Sequence, residues 1–292
     1  MNNYIKSVIL WPMNVFYSIC PKKEIELMFR LKQGRKLDLK NPKTYNEKLQ
    51  WIKLYYKDSR MGKCSDKYAV REYVESMGCE HILNDLLWSG FNPEEIPFDD
   101  LPDKFVIKTT HGSGFNIICK DKASLDREDA IKKLKKWLKI KYIKCYGEHW
   151  YGDEKPRVVI EKFLENENGT GLFDYKFFCF DGEPKYVYVD TWKDGQHHIN
   201  MYDIDFKLRE DVSLGYPRDY SDVKPPENYK ELIETAKKLA SDFPHVRVDL
   251  YSVDGKKIVF GEMTFSKGAG FDKIRPHEFD LEMGSHFKVR NK

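Results

Sequence analysis

The segment VRVDLYSVDGKKIVFGEMTF, residues 246–265, constrains the fold more than any other. Two β-rich runs flank Asp254-Gly255, a leading signal for a two-residue hairpin turn. Such a turn pairs Val253 with Lys256 and sets Arg247 opposite Glu262. Side chains then alternate between faces. Val246, Val248, Leu250, Val259, Gly261, Met263 and Phe265 form an apolar face that must be buried. Arg247, Asp249, Tyr251, Ile258, Phe260, Glu262 and Thr264 share the other face. Near the open end that face gathers one cation, two carboxylates and a hydroxyl, with Asp249 diagonal to Glu262. Adjacent carboxylates repel unless a cation joins them. Few hard oxygen ligands suit Mg²⁺, which completes its shell with water and phosphate. Asp249, Glu262 and Thr264 are therefore candidate metal ligands. The competing reading is a solvated sheet face closed by an Arg247–Glu262 ion pair.

A second constellation is KFVIKTTHGSGFNIICK, where a strand ending near Lys108 meets a loop holding Gly112, Ser113 and Gly114. Glycines let backbone N–H groups approach phosphate oxygens, and Lys108 adds a charge. No G-K-[ST] follows, so this is not a Walker A loop; an ordinary glycine hairpin is the alternative. His111 is expected to be solvated. Third, RVVIEKFLEN offers Glu161 at a strand end, where it could accept from an adenine amino group; an ordinary charged strand end is the alternative.

The remaining pattern is α+β. Helices are expected at 24–31, at 46–56 with Thr44 and Glu47 as a capping box, at 66–77, 127–144 and 229–240. Strands are expected at 104–109, 115–120, 157–164, 174–180 and 185–190, with Asp181-Gly182 as a hairpin turn. The chain of 292 residues carries a net charge of only +3, with both signs interspersed, which argues against a nucleic-acid groove. Its six cysteines contain no C-x-x-C pair, so no zinc ribbon or redox motif is expected, and free thiols in a reducing cytosol fit. Residues 4–20 are apolar but interrupted by Lys6, Pro12 and Asn14. Ile5, Val8, Ile9, Met13 and Phe16 follow helical spacing, which points to a packed amphipathic helix, with a membrane-surface helix as the alternative. His197-His198 is read as surface or cleft lining. The lysine-rich stretch 131–144 is read as a solvated basic face.

These motifs and their order resemble the ATP-grasp superfamily, D-alanine–D-alanine ligase being a good comparison. Asp66-Lys67, Lys108 with Gly112-Ser113-Gly114, Glu161-Lys162-Phe163-Leu164, Asp174-Tyr175-Lys176, Arg247-Val248-Asp249 and Glu262-Met263-Thr264 carry the resemblance. NPKTYNEKLQW (41–51), DKYAVREYV (66–74), KTTHGSG (108–114) and DYKFFCFDGEP (174–184) are similar to the TupA-like branch, named for teichuronopeptide biosynthesis. The resemblance implies an ATP-grasp fold. A mostly helical region (1–63) would precede a small lobe with the glycine-rich loop (64–162) and a large lobe with the metal site (163–292). It implies ATP and Mg²⁺ as cofactors. Lys67, Lys108 and Lys176, with Asp174 and the Gly112-Ser113-Gly114 loop, would meet phosphate. Glu161, Lys162, Phe163 and Leu164 would meet adenine. Arg247 and Lys108 would be catalytic. The implied reaction is carboxylate–amine ligation through an acyl phosphate in bacterial cell-surface polysaccharide biosynthesis. A glycosyltransferase or phosphotransferase on the same fold is the alternative, and a nonenzymatic nucleotide-binding or membrane-docked assembly protein a third reading. The expected partners are a small-molecule or glycan carboxylate and an amine. The expected location is cytoplasmic, with peripheral contact to the inner face of the plasma membrane through the N-terminal helix left open. Thr264 departs from the family's usual asparagine, which makes two full metal sites less secure than one.

Overall fold

Two antiparallel sheets organise the chain. A computed structural model describes residues 10–169, 172–193, 196–219 and 223–289. The smaller sheet contains β1 (Leu86–Gly90), β2 (Phe105–Thr109), β3 (Asn116–Cys119) and β4 (Val158–Lys162), in the order β1-β4-β2-β3. The larger contains β5 (Asp174–Phe180), β6 (Glu183–Lys193), β7 (Gln196–Asp203), β8 (His245–Val253) and β9 (Lys257–Thr264), in the order β7-β6-β5-β8-β9. The helices are α1 (Trp11–Ile19), α2 (Pro21–Gln33), α3 (Tyr45–Tyr55), α4 (Arg60–Ser65), α5 (Val70–Ser76), α6 (Arg127–Leu138), α7 (Tyr229–Ala240) and α8 (His277–Ser285).

The central strand β5 explains the layering. Phe177, Phe178, Cys179 and Phe180 are all buried, as a strand covered on both faces requires. On one face Phe177 stacks on Tyr229 of α7, where Leu232, Ala236 and Leu239 are buried. On the other, Phe178 and Phe180 meet Tyr45 of α3 edge-on, and Phe180 stacks on Phe287 just beyond α8. Tyr45 also donates its hydroxyl to His245 Nε2 at 2.9 Å, while His245 Nδ1 meets the Cys179 carbonyl at 2.8 Å. Burial pushes the His245 pKa down to about 3, so the ring sits neutral between these partners. The alternation of β5 puts Asp174 and Lys176 on the same face as Phe178 and Phe180. That face is thus apolar where α3 covers it and polar where it does not. Helix α3 therefore marks the edge of the polar region.

Residues 45–82 share a core with β5–β9 and α7, whereas the smaller sheet packs its own cluster of Ile96, Phe98, Phe105, Ile107, Leu134 and Ile160. The α3 capping box forms as expected, with helical residues starting at Tyr45. Glu47 N donates to Thr44 Oγ1 at 3.2 Å, and Arg35 Nη2 donates to the same oxygen at 2.8 Å. Thr44→Ala is expected to cost about 1–2 kcal/mol in urea unfolding. An unchanged midpoint would show that Arg35 and Glu47 hold this terminus without it.

Several expectations need correction. The helix expected over 66–77 forms only from Val70 to Ser76; residues 66–69 are a turn between α4 and α5, because Asp66 Oδ1 accepts from Tyr68 N and Ala69 N at 2.9 Å each. The helix expected to reach Lys144 stops at Leu138. Strand β1, strand β7 and helices α4 and α8 are not among the expected elements. The N-terminal helix is described from Leu10 onward; Ile5, Val8 and Ile9 lie outside the described residues. The Asp181-Gly182 turn stands as expected, with φ of 46° and 82°. None of the six cysteines is bridged.

Candidate active site

The C-terminal hairpin keeps its polar cluster together, but not by the expected register. Val253 pairs with Lys257, so the loop takes three residues, Asp254-Gly255-Lys256. A second shift falls between Leu250, paired with Phe260, and Asp249, paired with Glu262. Gly261 is the extra residue of that bulge. A Cβ there would stand 2.9 Å from the Asp249 carbonyl oxygen, so a side chain has no room. Each one-residue slip exchanges the faces of β9, and two in series restore them. Between turn and bulge the assignment is therefore reversed: Phe260 joins Leu250 and Met263 in the core cluster, and Val259 pairs with Tyr251. Beyond the bulge, Arg247, Asp249, Glu262 and Thr264 share one face as expected. Asp249 now lies directly opposite Glu262, and Arg247 opposite Thr264.

Arg247 is the hub of this face. Its Nε and Nη2 donate to the two Asp249 oxygens at 2.6 Å each, and Nη2 also reaches Glu262 Oε1 at 2.7 Å and Thr264 Oγ1 at 3.0 Å. Lys176, the neighbour of Asp249 across β5–β8, donates to Asp249 Oδ2 at 2.7 Å and to Asp174, and lies 3.5 Å from Asp190 Oδ2. Asp190 accepts from His197 Nε2 at 2.9 Å, and His197 meets Tyr216 edge-on. The cluster contains four carboxylates (Asp174, Asp190, Asp249, Glu262) and two cations (Lys176, Arg247), an excess of two negative charges when all are ionised.

The electrostatics follow from burial and neighbours. Burial resists ionisation of Glu262, but Arg247, Lys67 and Lys176 outweigh it and hold the carboxyl at about 2. Burial pushes Asp174 up from the usual carboxylate range; Lys176 opposes this and Asp249 reinforces it. Burial resists the charge on Lys176, yet Asp249 and Asp174 raise its pKa well above the ordinary lysine value.

The smaller sheet supplies the opposite wall. Lys108 donates to Glu161 Oε2 at 2.6 Å across β2–β4. The turn at 66–69 aims Lys67 at the glycine loop: its backbone N–H donates to the Thr110 carbonyl at 3.1 Å and its Nζ to the Gly112 carbonyl at 2.8 Å. Gly112 and Gly114 have φ of 73° and 76°, and a Cβ on Gly112 would meet the Phe115 ring at 2.8 Å. Gly112, Ser113 and Gly114 are exposed. A cleft between the sheets is lined by Lys67, Arg71, Lys108, Glu161, Phe260 and Gly261, among others. Burial lowers the Lys67 pKa, while Glu262 opposes it, so these two charges interact.

Lys162, Phe163 and Leu164 follow at the end of β4. The Lys162 backbone is already engaged: its N–H donates to the Asp85 carbonyl at 3.0 Å, and its carbonyl accepts from Asn84 Nδ2 at 2.9 Å. Its side chain is exposed, and Phe163 and Leu164 are half-buried. His111, expected to be solvated, is buried instead, with Nε2 held 2.9 Å from the Ile140 carbonyl. Sequence reasoning missed Arg71, Asp190 and the connection of His197 to the cluster. Arg71 stands four residues after Lys67, a spacing the expected helix would have put on one face. Asp190 was not legible from the turn either: the Asp181-Gly182 register alone sets Asp174 opposite Val189, and only the bulge between Phe178 and Cys179 brings Asp190 there.

The donor set fits a hard divalent ion. Among the described residues no group of three or more His, Cys, Asp or Glu side chains is arranged to hold a metal by itself. Mg²⁺ does not need one, because it keeps waters and takes phosphate oxygens. The excess negative charge that the cluster carries when its carboxylates are ionised, offset in part by Lys67, suits such an ion. Hydrogen bonds from Arg247 and Thr264 converge on Glu262 Oε1, which leaves Oε2 of a side chain 42% exposed.

The family described as TupA-like ATPgrasp matches residues 47–288. No curated protein matches the chain. Among solved structures, D-alanine–D-alanine ligase from Bacillus anthracis is 18% identical, over 70% of this chain and 57% of that one, with a TM-score of 0.40. An N5-carboxyaminoimidazole ribonucleotide synthetase in complex with ADP is 16% identical, over 75% and 50%, with a TM-score of 0.45. The L-amino acid ligase from Bacillus licheniformis is 16% identical, over 73% and 45%, with a TM-score of 0.45. The chain spans about half the length of these solved relatives.

Proposed function

This chain belongs to the TupA-like ATP-grasp family, and we propose that it is an ATP-dependent carboxylate–amine ligase that works through an acyl phosphate. The observation that carries this reading is the shared cleft. Lys67, Lys108 and Glu161 of one wall face Phe260 and Gly261 of the other, next to the Arg247–Asp249–Glu262 cluster. A nucleotide with its adenine toward Glu161 would bring its phosphates to the glycine loop and to Lys67, Lys108 and Lys176. Glu262, Thr264 and Asp249 would hold Mg²⁺, which neutralises developing charge on transferred phosphoryl oxygens.

In the first step a substrate carboxylate oxygen attacks the γ-phosphorus and ADP leaves. In the second an amine attacks the acyl carbon, phosphate leaves with the C–O bonding pair, and the amine loses a proton as the amide forms. The chain's residues position and stabilise charge; they make no covalent bond. Arg247 presents a planar fork that suits the charged acyl-phosphate and tetrahedral species. The smaller sheet with its own cluster, and the larger sheet together with residues 45–82 that share its core, then act as the two gripping lobes. The substrates are a small-molecule or glycan carboxylate and an amine, and the branch resemblance supports a role in cell-surface polysaccharide assembly on the cytoplasmic side.

The test is thermal unfolding with a panel of nucleotides, with and without Mg²⁺. Mg–ATP at a hundredfold excess over its Kd should stabilise the chain by roughly 2.7 kcal/mol, and ATP should turn over to ADP and free phosphate only with both acid and amine present. Release of UDP, or phosphate retained on product, would replace ligation with glycosyl or phosphoryl transfer. A shift with no nucleotide would overturn the reading.

A further inference from the structure

The N-terminal helices carry a surface that the cleft does not use. Twelve large hydrophobic side chains are exposed among the described residues, and five of them fall within residues 11–31: Trp11, Val15, Ile19, Leu27 and Leu31. Trp11, Val15 and Ile19 stand at i, i+4 and i+8 on α1, a helix with no buried residue, so they form one outward stripe. An ordinary surface helix has one apolar face. Helix α2 has two. Ile25, Met28 and Phe29 point into the core with Leu37, Leu39 and Phe271, while Leu27 and Leu31, one turn apart, face solvent on the other side. Core packing accounts for the first set and leaves the second unexplained.

Charge decides what such a surface fits. Lys22, Lys23, Arg30, Lys32 and Lys36 are exposed around it. Within residues 11–36 the only acids are Glu24, which is fully buried, and Glu26, which is half-buried. A two-fold contact between copies would set these cations against their own counterparts, which disfavours a dimer through this face. Exposed Trp, Val, Ile and Leu beside uncompensated Lys and Arg match the composition of helices that lie in the headgroup layer of an anionic bilayer. No helix among the described residues is long and apolar enough to cross a membrane, so the contact is with a surface.

We propose that α1 and α2 form a peripheral docking face for an anionic lipid bilayer, with Trp11, Val15, Ile19, Leu27 and Leu31 entering the headgroup layer and Lys22, Lys23, Arg30 and Lys32 meeting lipid phosphates. This inference is independent of the ligase reading, because none of these side chains lines the cleft.

The test is flotation of the full chain with vesicles of phosphatidylcholine alone, or of phosphatidylcholine with phosphatidylglycerol. The chain should float only with the anionic vesicles, and less as salt rises. Each surface cation contributes about fivefold in binding. Lys22→Glu with Lys23→Glu should therefore lower vesicle affinity by at least about 25-fold. Trp11→Ser with Ile19→Ser should also lower it. Both sites are exposed, and an unchanged thermal midpoint would verify that these variants fold. Failure to float, equal flotation with both vesicle types, or native-like flotation of either variant would overturn the proposal. So would dimers or acidic-protein complexes that the serine variant abolishes while vesicles fail to bind.

Discussion

Glu262→Gln is expected to lower ATP-dependent turnover by on the order of a hundredfold or more with little change in the unfolding midpoint at neutral pH. Asp249→Asn is expected to lose both turnover and stability. The two carboxylates are direct partners across β8–β9, yet their surroundings differ. Glu262 is 42% exposed at the cleft, and glutamine keeps an acceptor oxygen for Arg247 and Thr264. Solvent screening makes the lost charge cheap for the fold. Asp249 is 1% exposed and accepts from Arg247 at both oxygens and from Lys176 at one. An asparagine amide would turn a donor toward buried cations, and removing one partner of a buried ion pair costs about 3–5 kcal/mol.

The pH dependence separates the roles further. The folded pKa of Glu262, about 2, lies below its ordinary value of 4.5. Its stabilising contribution is therefore complete above 4.5 and lost as pH falls through about 2. At a side chain 42% exposed that contribution is small, so the urea midpoints of the native chain and Glu262→Gln, already close at neutral pH, should coincide below that window. Native-like turnover in both variants would remove the metal assignment and the ligase reading with it.

From the sequence alone these two positions look equivalent, and the reason they are not shows where sequence reasoning stops. Alternation and the Asp-Gly signal located the hairpin and its polar face. They could not reveal that Lys256 joins the turn or that Gly261 bulges. Glycine in a strand signals a bulge or a close approach without saying which. The site survived the error because the two slips cancel in parity, while Phe260 lay between them and was placed on the wrong face. The turn at 66–69 was hidden for a different reason. Asp66 caps a turn with its own side chain, a local alternative to helix that periodicity does not register. Burial was also out of reach. DYKFFCF reads as a strand, but only the position of β5 between β6 and β8 makes Asp174 and Lys176 an enclosed pair. The surface of α1 and α2 was legible as helical spacing, whereas its outward side emerged only when Ile25, Met28 and Phe29 took the core.

Lys176→Met should produce a stability defect that shrinks on acidification, the opposite of ordinary acid unfolding. Lys176 Nζ stands among Asp174, Asp190 and Asp249 on three adjacent strands. Without it these carboxylates face one another, and Arg247 contacts only Asp249 of the three. The loss with these carboxylates ionised should be about 3–5 kcal/mol, the cost of breaking a buried pair from one side. Burial already places the folded Asp174 pKa above its ordinary 3.8, and Lys176 is the principal group holding it down. In the variant it must rise further. A raised carboxyl pKa means that the folded chain binds the proton more tightly than the unfolded chain. Unfolding free energy then increases as pH falls through the raised folded pKa, and the gain is complete near 3.8. The native chain makes the same gain once pH falls below its own Asp174 pKa of about 7, so the deficit should be largest in alkali, at about pH 9, and smallest below about pH 7, where the urea midpoints should come closest. Lys176→Arg keeps the charge and should show no such recovery. A deficit that stays constant or grows on acidification would mean that Lys176 stabilises the strands by packing its stem. The four carboxylates of this face would then not act as one electrostatic unit, and the excess negative charge that makes the cluster a seat for a divalent cation would lose its basis.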